Sequence, residues 1–114
     1  MEKVIFINDK KFGRYASSLT DKHVLLALFV GQYRFPDNIQ EITDILKSVK
    51  NQETSWDEII ERYCGNWNIG YGDGSLDVED DTAYFVSNTN DDESFAMPLE
   101  ELISLMEEWK VFLS

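Results

Sequence analysis

Hydrophobic residues recur three or four positions apart in long stretches of the chain, the spacing that places side chains on one face of an α-helix. The clearest case follows Pro36, where DNIQEITDILKSVKN carries an apolar face made of Ile39, Ile42, Leu46 and Val49. Asn38 and Glu41 stand at the spacing of a capping box, in which each side chain bonds a backbone N–H of the other residue. This segment is therefore predicted to be an amphipathic helix.

The same pattern predicts two more helices. SWDEIIERYCGN has Ser55 and Glu58 as a capping box and Gly65 past its end, with an apolar face of Trp56, Ile59, Ile60 and Tyr63. PLEELISLMEEWKVFLS places Pro98 at the first helical position, where the missing N–H loses no hydrogen bond. The buried stripe predicted for this last helix is Leu99, Leu102, Ile103, Met106, Trp109 and Leu113. Glu100 and Glu101 lie in its first turn, where the helix dipole favours negative charge.

The apolar run at residues 24–30, centred on Ala27, lacks a polar face, so periodicity alone leaves helix and strand both open. A helix is favoured because leucine and alanine dominate the run. Thr20 is available to cap the start of the helix, and Gly31 is available to end it.

Strict alternation of apolar and polar residues in SLDVEDDTAYFVS predicts a β-hairpin that turns near Asp80 and Asp81. If Glu79 faces Thr82, Leu76, Val78, Ala83 and Phe85 form the core face, and Asp77, Glu79, Tyr84 and Val86 form the outer face. Asp-Asp is not a favoured two-residue turn, so a longer loop and another register stay open.

Two shorter runs, KVIFI and SFAM, are predicted as further strands. NWNIGYGDGS is assigned to turns. Helices followed by a hairpin and a closing helix indicate one α+β domain over residues 1–114, with helices packed on a small antiparallel sheet and a C-terminal amphipathic helix.

The charged residues are distributed unevenly between the two halves of the chain. Residues 1–57 hold eight acidic and eight basic side chains, whereas residues 58–114 hold 14 acidic side chains opposed only by Arg62 and Lys110. The second half thus accounts for the whole net charge of -12. Such a field repels nucleic acids and anionic membranes, and it favours cations or a basic protein. The start of the chain has no secretory-signal pattern, so a cytoplasmic protein is expected.

The candidate catalytic and metal-binding motifs are each incomplete. His23 is the single histidine, and Cys64 the single cysteine; each is interpreted as a packing residue rather than part of a nucleophilic pair. The glycines at 70, 72 and 74 are interpreted as a turn, because no lysine follows and Asp73 would repel phosphate. Asn88 to Ser94 resembles a calcium loop, but its sixth position is Glu93 instead of glycine and its twelfth is not glutamate. We expect no catalytic residue, cofactor or metal.

Aromatic side chains interleaved with carboxylates favour a protein interface, where aromatic residues anchor and charge steers association. The predicted partner-binding residues are Trp67, Tyr71, Asp73, Asp77, Glu79, Asp80, Asp81, Tyr84, Asp91, Asp92 and Glu93. The expected partner is a basic protein. The competing interpretation is that Trp67 and Tyr71 belong to the core and that the acids are solvated turns.

The acidic ending FAMPLEELISLMEEWKVFLS, preceded by GNWNIGYGDGSLDVEDDTAYFVS, resembles bacterial immunity proteins of polymorphic toxins, including those of contact-dependent growth inhibition. This resemblance implies a non-enzymatic cytoplasmic protein that binds the C-terminal domain of one toxin, often a nuclease, and covers its active site or substrate groove. Two alternatives stay open: an acidic adaptor or regulatory subunit of a larger complex, and a small metal-assisted hydrolase.

Overall fold

A computed structural model describes residues 3–62, 67–70 and 72–114. The first apolar run forms strand β1 (Val4–Asp9), which pairs antiparallel with β2 (Gly13–Ser18). At the turn between them, the Asp9 carboxylate accepts hydrogen bonds from the N–H groups of Lys11 and Phe12, and Gly13 takes a φ of 80°. The strand β2 was not predicted because GRYASS has no alternating apolar pattern.

The ambiguous apolar run is helical, as favoured, and forms α1 (Val24–Gly31). The predicted Thr20 cap is wrong, because a 3-10 turn (Asp21–His23) precedes the α-helix and the Thr20 side chain bonds no backbone group. The Thr20 hydroxyl lies 3.3 Å from Nδ1 of His23 instead. The residues between 24 and 30 are buried except Val24 and Leu28, so the helix is embedded between other elements.

The helix α2 (Pro36–Lys50) is confirmed, but its predicted capping box is wrong. Proline at the first helical position starts the helix two residues before Asn38, so Asn38 and Glu41 both lie inside it. The capping residue Phe35 offers no side-chain hydrogen bond.

The helix α3 (Trp56–Arg62) has half of its predicted capping box. The Ser55 hydroxyl accepts a hydrogen bond from the N–H of Glu58 at 3.2 Å. The Glu58 carboxylate, however, accepts one from the Thr54 hydroxyl at 3.1 Å rather than from the backbone of Ser55. The predictions for Tyr63, Cys64 and Gly65 fall outside the described residues.

A second sheet has four antiparallel strands in the order β3 (Trp67–Ile69), β4 (Gly74–Glu79), β5 (Thr82–Ser87) and β6 (Phe95–Pro98). The β4–β5 register is confirmed, with Glu79 opposite Thr82. The loop has only two residues, and Asp80 adopts the left-handed φ of 56° that such a turn requires. SFAM is confirmed as a strand. The segment NWNIGYGDGS, which was assigned to turns, contains the strand β3 and also Gly74, the first residue of β4.

The last helix, α4 (Leu99–Leu113), begins one residue later than predicted, because Pro98 is the final residue of β6. The N–H of Leu99 donates to the carbonyl of Asp81 at 2.8 Å, which ties the helix start to the β4–β5 turn. The predicted stripe is buried as far as Trp109, and Leu113 is half-buried. The helix packs against α2, and the Trp109 Nε1–H donates to the carbonyl of Tyr33 at 2.8 Å.

These elements form one α+β domain, as predicted, with the common hydrophobic core lying between the helices and the inner face of the four-stranded sheet. In the part of the chain that the structure describes, no helix combines the length and apolarity needed to span a bilayer.

Candidate protein-binding surface

One face of the four-stranded sheet carries the predicted acidic and aromatic positions. We call this surface the outer face and define it by Asp77, Glu79, Tyr84, Val86 and Ala96. Asp77 lies opposite Tyr84 on the neighbouring strand, and Tyr84 lies opposite Ala96 on the next. Tyr84 is 37% exposed and Val86 is 43% exposed, so an aromatic ring and a branched aliphatic side chain reach solvent beside two carboxylates.

The outer face points to solvent because the residues that alternate with it along β4 and β5 are buried in the core. Leu76, Val78, Ala83 and Phe85 alternate with the outer positions and are at most 5% exposed. Phe85 packs edge-on against Phe29 of α1, with ring centroids 5.8 Å apart. A shift of one residue in register would bury Asp77 and Glu79 in this core, so the packing fixes their exposure.

The β4–β5 turn adds Asp80 and Asp81 at one end of the sheet, both exposed. They line a groove of about 530 Å³ together with Glu53 and Glu58, which come from the α2–α3 connection and α3. We call this groove the tip groove. Trp56 also lines it; this side chain is 5% exposed, and its Nε1–H has no acceptor among the described residues.

Sequence reasoning missed the contribution of Glu53 and Glu58. Both precede the hairpin, in the helical part of the chain, and periodicity within an element does not report which segments meet in space. The residues that line the tip groove include four carboxylates and no lysine, arginine or histidine among the described residues.

At the opposite end of the sheet lie Asp73 and the 3-10 turn that contains Asp91, Asp92 and Glu93. The carbonyl of Asp73 accepts a hydrogen bond from the N–H of Asn88 at 3.0 Å, so the β3–β4 turn is held beside the segment that follows β5. The two ends are separated by six-residue strands, which span about 20 Å. The predicted acids therefore do not form one dense site. Asp77 lies within β4, Glu79 lies with Asp80 and Asp81 at one end of the sheet, and the remaining acids lie at the other end.

The structure separates the predicted aromatic residues. Trp67 lies opposite Leu76 and therefore faces the inner side of the sheet, where it is half-buried. Its ring centroid is 5.1 Å from that of Trp56, so it packs at the edge of the core, as the competing interpretation for this residue had it. Of the two predicted aromatic residues that the structure describes, Tyr84 lies on the outer face. Tyr71 is outside the described residues.

Ion pairing leaves the acids of the sheet unneutralised. In residues 3–62, 67–70 and 72–114, the ion pairs are Lys3–Glu101 at 2.7 Å and Lys47–Glu107 at 3.6 Å. Both use a lysine of the neutral first half to neutralise a glutamate of α4. Lys110 bonds the amide oxygen of Gln40 at 2.6 Å. Within the described chain, no basic side chain pairs with a carboxylate of the four-stranded sheet or its turns.

Where the structure describes the chain, no group of three or more histidine, aspartate or glutamate side chains is arranged to hold a metal ion. Comparison of the chain with protein families, curated proteins and solved structures yielded no match.

Proposed function

We propose that this protein is a cytoplasmic, non-enzymatic immunity protein that binds a cognate cationic toxin domain, a nuclease, and covers its active site or substrate groove. The toxin class comes from the resemblance described above. The observation that carries the proposal is the outer face, where Tyr84 and Val86 stand exposed among carboxylates that have no ion-pair partner in the described chain.

The composition of the outer face suits an interface with a basic protein. Exposed Tyr84 supplies a rigid amphipathic anchor, and Val86 extends the apolar contact along β5. Asp77 lies opposite Tyr84, and Glu79 lies two residues closer to the β4–β5 turn; both would meet lysine or arginine side chains of the partner. Close charge pairs across such interfaces couple by about 1.5–7 kcal/mol. A nuclease offers complementary chemistry because its substrate groove must attract phosphates.

The tip groove extends this surface around one end of the sheet. A basic side chain of the partner that entered the groove would approach carboxylates from two separate segments: Glu53 and Glu58 around the start of α3, and Asp80 and Asp81 in the β4–β5 turn. Two carboxylates on each side of one cation favour the planar guanidinium of arginine, which donates to several acceptors at once. We therefore expect both the outer face and the tip groove to lie within the interface.

A protection assay tests the proposal. If a neighbouring gene encodes a protein with a lysine- and arginine-rich C-terminal domain, that domain is the candidate toxin, and it is expressed with and without the protein. Wild-type protein should restore growth, and Asp77→Lys/Glu79→Lys should not. The matched control is Glu41→Lys/Glu108→Lys, which makes the same charge change at exposed positions on α2 and α4.

Two outcomes would count against the proposal. Binding without protection would favour an adaptor or regulatory subunit, which shares the charge field but neutralises no toxin. Equal protection by both double variants would remove the outer face from the interface.

A further inference from the structure

A pocket of about 610 Å³ lies where the 3-10 turn at residues 21–23 meets the start of β6. Its polar lining consists of Lys3, Thr20, Lys22, His23 and Ser94, and Phe95 contributes an apolar wall. We call it the cationic pocket. Among the described residues, no carboxylate lines it, although 22 of the 114 residues are acidic. It shares Ala96 with the outer face but none of the carboxylates of that face, and it has no lining residue in common with the tip groove. Its volume is typical of small-molecule sites.

The hydrogen-bonding groups of the cationic pocket are predominantly donors. The Lys3 ammonium uses one N–H for Glu101 at 2.7 Å and keeps two, because lysine has three. The Ser94 oxygen accepts a hydrogen bond from the N–H of Ser87 at 2.8 Å, so its own O–H stays available. Lys22 is exposed and adds a full ammonium group.

Thr20 and His23 add one further donor whichever imidazole tautomer is present. Their side chains meet at 3.3 Å between the hydroxyl oxygen and Nδ1. If the hydroxyl donates to Nδ1, the imidazole keeps its Nε2–H; if Nδ1–H donates to the hydroxyl oxygen, the hydroxyl keeps its O–H. The pocket thus presents several N–H and O–H groups with few acceptors to match them.

The electrostatics agree with this inventory. Burial lowers the pKa of His23 below its ordinary value, and the nearby charges of Lys3 and Lys22 lower the pKa further, whereas Glu101 acts in the opposite direction. The two ammonium groups therefore act together on the position of the imidazole. His23 is held in place by an edge-on contact with Phe95, whose ring centroid lies 4.9 Å away.

We propose that the cationic pocket binds a phosphate group, either as the free ion or as a phosphomonoester, through Lys3, Lys22, Ser94 and the Thr20–His23 pair. A phosphate has enough acceptor oxygens to meet donors that approach from the 3-10 turn and from the residue before β6. Phe95 and Ala96 provide an apolar side against which the organic part of an ester would pack. This proposal does not depend on the function proposed above.

Because His23 is the single histidine, its imidazole proton resonances report on this pocket without overlap from another histidine. We would titrate the full chain with inorganic phosphate and with phenyl phosphate, and follow those resonances as the pH is varied. Binding should produce a saturable shift, and it should raise the pKa of His23 because the anion offsets the charges of Lys3 and Lys22. Sodium chloride at matched ionic strength controls for screening.

The variants Lys22→Gln and Lys10→Gln make the comparison specific. Both remove one exposed lysine, but Lys10 lies in the β1–β2 turn, at the opposite end of β1 from Lys3. Lys22→Gln should weaken phosphate binding about tenfold, as expected for one charge-assisted hydrogen bond, and Lys10→Gln should leave it unchanged. Ser94→Ala provides a second, uncharged test of the pocket.

Tighter binding of phenyl phosphate than of phosphate would identify an ester as the ligand type, and equal binding would identify the free ion.

Three results would overturn the proposal: a shift that does not saturate, a shift that chloride reproduces, or equal weakening by Lys22→Gln and Lys10→Gln. Each would mean an adventitious ion only. Failure of the phosphate proposal would leave the outcome of the protection assay unaffected, because that assay changes residues on β4.

Discussion

Replacing Trp109 with phenylalanine should destabilise the protein substantially, because this side chain joins three parts of the fold. Its ring is fully buried and packs 5.2 Å from the ring of Phe6 in β1. Its Nε1–H donates to the carbonyl of Tyr33, in the α1–α2 connection, at 2.8 Å. The substitution keeps an aromatic ring on α4 but removes both the donor and the second ring.

The magnitude follows from these two losses. A partly buried carbonyl left without its donor costs about 1–3 kcal/mol. A void of roughly 40 Å³ at about 24 cal/mol per Å³ costs about 1 kcal/mol more. The free energy of unfolding should therefore fall by about 2–4 kcal/mol, which for a chain of this length lowers the melting temperature by about 8–16 °C.

Chemical denaturation followed by far-ultraviolet circular dichroism measures this change, since the signal does not depend on the tryptophan that is removed. Val111→Ala on the same helix is the control, because Val111 is 74% exposed and its truncation should change the free energy by less than about 0.5 kcal/mol. Equal effects of the two substitutions would refute the account of α4 docking.

Three further predictions concern caps, close packing and pH. Ser55→Ala should destabilise α3 by about 1 kcal/mol, whereas Asn38→Ala should be nearly neutral because Asn38 caps nothing, a contrast that denaturation of both variants measures. Gly74→Ala should destabilise the protein strongly, because its Cβ would lie 2.6 Å from the carbonyl oxygen of Val86. Gly31→Ala in α1 meets open space and should stabilise the protein by about 0.5–1 kcal/mol. Thermal melting of both variants measures this contrast, and a change of melting temperature in the same direction in both would contradict it. The pKa of His23 is lowered in the folded protein, so as the pH falls below the ordinary value of 6.5 the unfolded chain binds a proton before the folded chain does. The free energy of unfolding should therefore decrease between pH 6.5 and the pKa of the folded protein. This decrease should be smaller in His23→Gln.

The sequence predicted those elements in which one physical signal dominates. Alternation between Leu76 and Phe85 fixed the hairpin register, because a slip by one residue would bury Asp77 and expose Val78. Prediction failed where two local signals competed. At the start of α2, Pro36 and the Asn38–Glu41 pair both indicate a helix start. The helix begins at Pro36, because the proline ring fixes φ at a helical value. The strands β2 and β3 are held by pairing with their neighbours, a tertiary effect that their own residues do not encode.

The candidate surface was predicted in part for the same reason. Asp77, Glu79 and Tyr84 lie together because the hairpin was predicted in the correct register. Trp67 faces the core instead, because its strand was not recognised and its face could not be assigned. Glu53 and Glu58 join the acidic surface only through the packing of α3 beside β4, which sequence periodicity does not report.

The association rate with the cognate toxin domain tests the central claim most directly, measured by stopped flow over a range of salt concentrations. The proposed interface predicts a rate that falls steeply as salt rises, and a rate for Asp77→Lys/Glu79→Lys at least about tenfold below wild type at low salt, with Glu41→Lys/Glu108→Lys much closer to wild type. A rate that is insensitive to salt, or that falls equally in both double variants, would contradict it.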